Sequence, residues 1–239
     1  MQITWLSQAG FLVETQDHLK IMIDPYLSNS LEETAGAAFR RQVPIDERFL
    51  SEEIDVLVLS HGHGDHTDYQ TLDKLLATER KVEILCTVST YAELRKRYGK
   101  QHNYIQCEPG VCVTVRNTAF HAVKAIHTDR EAIGILIENG GKTLYHTGDT
   151  LYAPSAAAEL PLSIDYLLCP INGWGGNMNM QDAAKLVRQL KPKYTCPMHW
   201  DLFLPPWGCA VKVFLGLFSE EEQARICVMK QYQPMILPE

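Results

Sequence analysis

Residues 54–66 read Ile54-Asp55-Val56-Leu57-Val58-Leu59-Ser60-His61-Gly62-His63-Gly64-Asp65-His66. The first seven carry the continuous apolarity of a strand covered on both faces, which predicts a buried strand in an α/β protein. The next six place three imidazoles and a carboxylate on a turn with two glycines, so that several ligand atoms can point at one place. Imidazole nitrogen mixed with carboxylate oxygen suits zinc, iron, manganese or cobalt better than calcium or magnesium. A polar surface loop with incidental histidines is the competing reading. The position at the carboxyl end of a buried strand, where open α/β folds build their sites, favours the metal.

Working outward, Ile3–Glu14 and Leu19–Asp24 read as a hairpin turned at Gln16-Asp17-His18. Downstream of the histidines, Thr67 and Asp68 cap a helix carrying Tyr69, Leu72, Leu75 and Leu76 at helical spacing. A strand over Val82–Val88 leads to a helix opened by a capping box at Thr90 and Glu93 and stopped near Gly99. Short strands follow at Val111–Val115, Ala119–Ile126, Ala132–Glu138 and Lys142–His146, the last two joined by the hairpin signal Asn139-Gly140-Gly141. Tyr166–Cys169 and Tyr194–Met198 read as strands flanking a helix, Gln181–Leu190, capped by Asn179, and Val211–Phe218 reads as a final helix. No repeat or low-complexity linker interrupts the 239 residues, so a single domain over 1–239 is expected.

The composition agrees with a globular chain: 46% hydrophobic and 21% charged residues, enough to bury a sizeable core. Twenty-nine acidic against 22 basic residues leave a net charge of −7, which gives no general attraction to phosphate backbones or anionic membranes. The expected partner is a small-molecule substrate, with neither nucleic acid nor membrane, and assembly into a homo-oligomer is left open. The opening MQITWLSQAGFLVE lacks the pattern of a signal peptide and no apolar run reaches membrane length, so a cytoplasmic location is expected. The seven cysteines are odd in number, scattered and without a CxxC pair, and mostly lie in apolar runs; they read as unpaired small hydrophobes.

The stretch HxHxDH after an apolar strand resembles the first metal motif of the metallo-β-lactamase superfamily. Two later stretches support the likeness: Thr147-Gly148-Asp149-Thr150 and Pro197-Met198-His199, each at a strand end. ITWLSQAGFLVE, IDPYLSNS, LYHTGDT, PINGWGGNMN and CPMHWDLF resemble the branch that contains L-ascorbate-6-phosphate lactonase. The resemblance runs from residue 3 to about residue 204. It implies an αββα four-layer sandwich with one metal held by His61, His63 and a third histidine, and a second held by Asp65, His66 and His199, with Asp149 bridging the two. The implied cofactors are two divalent ions, Mn2+ or Zn2+, with iron also compatible. For the third histidine, His121 and His127 stand six apart on one strand face; His127, at the strand end, is preferred over mid-strand His121. His146 reads as a core histidine, and His18 and His102 as solvated turn residues. Asp24 reads either as a carboxylate orienting a ligand histidine or as a turn cap before Pro25.

The implied chemistry is hydrolysis by a shared water whose pKa two ions lower, with Asp65 holding the nucleophile and carrying its proton. Tyr152 stands just past the Asp149 turn, where it could donate to the leaving oxygen or simply pack. The lactonase acts on a phosphorylated sugar acid, so a small polar, anionic lactone or ester is the expected substrate. Arg40, Arg41, Asn172, Trp174 and Asn177 are the candidates to contact it. Two departures stand out: Ser7-Gln8 occupies a region where many superfamily members carry Gly-His, and the lactonase's long C-terminal extension has no counterpart here. A phosphodiesterase or nuclease is the second reading and a catalytically silent metal-binding scaffold the third.

Overall fold

The computed structural model describes residues 1–155, 160, 163–204 and 209–237. Two mixed sheets lie face to face. The first has the order β13-β1-β2-β3-β4-β5-β6, built from Gln2–Trp5 (β1), Phe11–Glu14 (β2), Lys20–Ile23 (β3), Val56–Leu59 (β4), Glu83–Cys86 (β5), Asn103–Gln106 (β6) and Pro234–Ile236 (β13). The second has the order β12-β11-β10-β9-β8-β7, from Cys112–Val115 (β7), Thr118–Lys124 (β8), Ile133–Asn139 (β9), Lys142–His146 (β10), Tyr166–Pro170 (β11) and Tyr194–Met198 (β12).

Alternation along each strand builds the layers. Val56 and Val58 of β4, Ile133, Ile135 and Ile137 of β9, and Leu168 of β11 point into the core between the sheets. Leu57 and Leu59 point the other way, onto Leu72 and Leu75 of the helix Tyr69–Leu75 and onto Leu94 of the helix Val88–Tyr98. On the far side, Leu136, Tyr145 and Leu167 pack against Ala183, Ala184 and Leu186 of the helix Met180–Leu190. The result is an αββα sandwich, and it explains why β4 is apolar at every position: both of its faces are covered. Truncating such a side chain to alanine costs about 2–5 kcal/mol.

Strand direction places the site. β3, β4 and β5 run parallel, as do β10, β11 and β12, while β1 and β8 reach the same directions through two antiparallel steps each. The carboxyl ends of β1, β3, β4, β8, β10, β11 and β12 therefore open on one edge. Among the described residues, no helix is long and apolar enough to cross a membrane.

Several expectations from the sequence are corrected. Ile3–Glu14 is two strands, broken by a tight turn in which Leu6 N–H donates to Gly10 O at 2.8 Å and Gly10 N–H to Ser7 O at 2.9 Å. The helix after β5 starts at Val88, not at a box on Thr90; the Ser89 N–H is capped by Glu131 Oε2 at 2.7 Å, a carboxylate distant in sequence. His102 is buried rather than solvated, its ring set between Leu76 O at 3.2 Å and the Val82 N–H at 3.4 Å. The last predicted helix covers only Val211–Leu215. All seven cysteines are free thiols.

Candidate metal centre

The turn after β4 delivers His61, His63, Asp65 and His66, and three other strand ends complete the cluster. His127 lies past β8, Asp149 past β10 and His199 directly after β12. Three groups of ligand atoms, each within 4.8 Å of one another, result: His61, His63 and His127; His61, His66 and Asp149; and Asp65, His66 and His199. Within them His63 Nδ1 stands 3.0 Å from both His61 Nε2 and His127 Nε2. His199 Nε2 stands 3.2 Å from Asp65 Oδ2 and 3.3 Å from Asp149 Oδ2, and His66 Nε2 stands 3.4 Å from Asp149 Oδ2. Asp149 thus faces both ends of the cluster.

The local backbone is shaped for this. Gly148 is left-handed at φ +60, and a Cβ there would collide with the Ile133 carbonyl, so only glycine lets Asp149 turn in behind Ser60. Gly176, at φ +90, lets the loop after β11 close on His127, whose Nδ1 is 3.2 Å from the Gly176 carbonyl. That contact fixes the ring so that Nε2 faces the cluster.

Carboxylates and amides hold the remaining candidate ligands. Asp24, fully buried, accepts from the Ser60 N–H at 2.7 Å, from Ser60 Oγ at 2.5 Å and from His66 Nδ1 at 2.8 Å. It is therefore a carboxylate that orients the His66 ring, rather than only a turn cap before Pro25. Asn177 Nδ2 donates to Asp149 Oδ2 at 2.9 Å. The Asn172 amide lies 3.1 Å from His199 Nδ1 and can serve either tautomer of that ring by a half-turn. Asp129 Oδ2 accepts from the Gly62 N–H at 3.1 Å and ties down the histidine turn. Of these supports, Asp129 was missed from the sequence, although its place two residues after His127 was the available signal.

The electrostatics divide the imidazoles. Burial pushes His61 well below, and His127 below, the ordinary histidine value, so both are neutral and ready to ligate. Burial pushes His66 and His199 the same way, but the facing carboxylates of Asp149 and Asp65 win, raising His199 to about 9 and His66 well above its ordinary value. Asp65 and Asp149 are held below the usual carboxylate range by those imidazoles despite burial. Protons on these two rings offset part of the negative charge of Asp24, Asp65 and Asp149, a role that cations can also fill. Buried His66 Nε2 and Asp149 Oδ1 have no hydrogen-bond partner. With an N/O donor set opening on a cavity, these residues fit a pair of divalent ions of the zinc, manganese or iron kind.

The cluster forms the floor of a cavity of about 430 Å³. Leu31, Phe39, Trp174 and Phe203 supply apolar wall, and Gln8, Asn172 and Asn177 supply amides. Trp174, Asn172 and Asn177 are thus brought to the cavity. Arg40 and Arg41 are not: Arg40 Nε pairs with Glu32 Oε1 at 2.7 Å, and Arg41 donates to Tyr26 O at 2.8 Å and Tyr232 Oη at 3.1 Å. Tyr152 turns away, donating to Gln189 Oε1 at 2.9 Å on the helix Met180–Leu190. His121 lies outside the cluster, 3.5 Å from Glu138 on the second sheet. His146 is a core histidine bound to Ala9 O at 2.9 Å.

Comparison with known proteins agrees with this geometry. The model of a family described as the beta-lactamase superfamily domain matches residues 20–200. A UPF0173 metal-dependent hydrolase of Carboxydothermus hydrogenoformans is 32% identical over 98% of this chain and 97% of its own length. A UPF0173 metal-dependent hydrolase of Pyrococcus furiosus is 30% identical over 96% of each chain. Among solved structures, a metallo hydrolase of the archaeon Ignicoccus hospitalis superposes with a TM-score of 0.76 at 22% identity, over 98% of this chain and 97% of that one.

Proposed function

The chain belongs to the metallo-β-lactamase superfamily of metal-dependent hydrolases, and from that premise we propose that it cleaves a small, uncharged lactone or ester with an apolar end. The observation that carries this reading is the lining of the cavity: a cluster of seven imidazole and carboxylate groups at its floor, apolar side chains on its walls, and no Lys or Arg among the described lining residues. A phosphate or carboxylate at the end of the substrate away from the metal group would meet no Lys or Arg among the described lining residues of a −7 protein. The anionic substrate expected from the lactonase likeness is therefore set aside, while the acyl bond is kept.

Bound divalent ions supply Lewis acidity at such a site, polarising a carbonyl and acidifying water. The chain's own groups do the rest. Asp65, ionised because His66 and His199 hold its pKa down, accepts a hydrogen bond from the attacking water and steers it to the carbonyl. Asn177 and Asp24 keep Asp149 and His66 from rotating, so the floor does not reorganise as charge develops. Phe39, Trp174 and Phe203 exclude bulk water from the bound acyl group.

The test is a panel of metal-loaded protein against uncharged lactones, their phosphorylated counterparts and bis-p-nitrophenyl phosphate, with Asp149→Asn as the blank. Turnover of the uncharged lactones, lost in the blank, is expected. Turnover confined to the phosphodiester would replace this reading with the phosphodiesterase one, and a preference for the phosphorylated lactones would restore an anionic substrate.

A further inference from the structure

We propose that Gln8 completes the second metal group, its side-chain amide acting with Asp65, His66 and His199 to set how tightly that group holds its ion. The proposal rests on the metal-dependent reading of the site and adds a residue to it.

The chain holds Gln8 in place at a cost. Ser7 and Gln8 are consecutive non-glycine residues in the left-handed region, at φ 80 and φ 54. Such strain persists only where the surroundings over-determine it. Here they do. The Gln8 carbonyl accepts from Trp5 Nε1 at 3.0 Å and from the His199 N–H at 3.0 Å, and His199 is itself left-handed at φ 59. Asp201 clamps the two turns together, taking Ser7 Oγ at 3.4 Å and the Gln231 amide on one oxygen. Two strained turns from opposite ends of the chain are thereby fastened to each other.

What this arrangement aims is an amide. The Gln8 side chain is almost fully buried, and its Nε2 lies 2.9 Å from Asp65 Oδ2 and 3.2 Å from His199 Nε2. Two of the three ligands of the second group are thus within reach of one neutral side chain, and the third, His66, presents an unpartnered Nε2 to the same space. An amide donates through its nitrogen or, turned over, offers a carbonyl oxygen, so it can steady the ligands in either state of the site. The first group consists of three imidazoles. Oxygen from Asp65 beside the Gln8 amide makes the second group the harder of the two, favouring Mn2+ there relative to the imidazole group.

The experiment is titration of metal-stripped protein with Mn2+, followed by calorimetry and by the visible spectrum of the Co2+-loaded form. Wild type is expected to bind two ions per chain with unequal affinity. Gln8→Met, which keeps the length and removes both hydrogen-bonding functions, is expected to weaken the second ion by about 10–100-fold, leave the first unchanged and alter the Co2+ spectrum. Gln8→Asn, which tolerates the left-handed turn but falls one methylene short, is expected to do the same, and it decides the matter if Gln8→Met does not fold. Gln8→Glu is expected to restore the second ion. Two ions bound as tightly in Gln8→Asn as in wild type would overturn the proposal and leave the metal-dependent reading intact. A wild type that binds fewer than two would overturn both.

Discussion

Asp24 Oδ2 lies 2.8 Å from Nδ1 of His66, and this contact leaves Nε2 of His66 facing Asp65 and Asp149, at 3.7 Å and 3.4 Å from their Oδ2 atoms. The same carboxylate takes both the backbone N–H and the hydroxyl of Ser60, the last residue before the histidine turn. Asp24→Ala should therefore do two things at once. It should weaken metal binding by about 10–100-fold, as loss of an orienting carboxylate does. It should also destabilise the metal-free protein by about 1–3 kcal/mol, because a buried N–H loses its acceptor. Equilibrium dialysis and urea unfolding measure the two effects separately.

A pair of glycine variants separates backbone strain from collision. Gly99 and Gly148 have nearly the same φ, +59 and +60, but nothing lies within 4 Å of a Cβ at Gly99, whereas at Gly148 the Ile133 carbonyl stands in its path. Gly99→Ala should cost about 1–3 kcal/mol, since φ 59 with ψ −128 is a conformation that glycine alone takes readily. Gly148→Ala should cost more and also lower metal content, since the turn it distorts carries Asp149. Equal costs in urea unfolding would remove the steric argument for the Thr147–Thr150 turn.

Burial lowers the pKa of His102 below its ordinary 6.5. As pH falls through that value the unfolded chain binds the proton first, so the unfolded state gains and stability drops, continuing until the folded pKa is passed. Each unit of depression corresponds to about 1.4 kcal/mol. Stability of the metal-free protein should fall below about pH 6.5 more steeply than that of His102→Asn; identical slopes would mean that the ring charges without penalty.

Arg41 serves the fold rather than the substrate. Its guanidinium ties Tyr26 O and Tyr232 Oη together and lies 5.1 Å over the Tyr26 ring, beside the segment that brings Phe39 to the cavity. Arg41→Met should lower stability by about 1–3 kcal/mol and change KM for charged and uncharged lactones alike. A selective rise in KM for anionic substrates at unchanged stability would place this arginine in the pocket's service.

The sequence disclosed what strong periodicity and local chemistry determine. β4 was readable because both of its faces are buried, and the helix Met180–Leu190 because Asn179 caps it through its own side chain. The histidine and aspartate motifs that converge at the candidate site were readable because each follows an apolar strand. What escaped depends on partners far away in sequence. The break in Ile3–Glu14 was hidden because Leu6 and Ala9 keep the turn apolar, and the turn is held by Asp201 and His199. His102 sits in a polar stretch and is buried by Leu76 and Val82. Asn172 and Asn177 were read as substrate contacts; they line the cavity, but their hydrogen bonds go to His199 and Asp149.

His61, His63 and His127 gather at one end of the cluster and Asp65, His66 and His199 at the other, with Asp149 between them, which makes two metal groups the expectation. Elemental analysis of loaded, desalted protein tests it most directly, on wild type, Asp149→Asn, His127→Ala and His121→Ala. Two transition-metal ions per chain are expected in wild type, with loss of metal in Asp149→Asn and His127→Ala and wild-type content in His121→Ala. A wild type that retains no metal, or loss from His121→Ala with retention in His127→Ala, would contradict it.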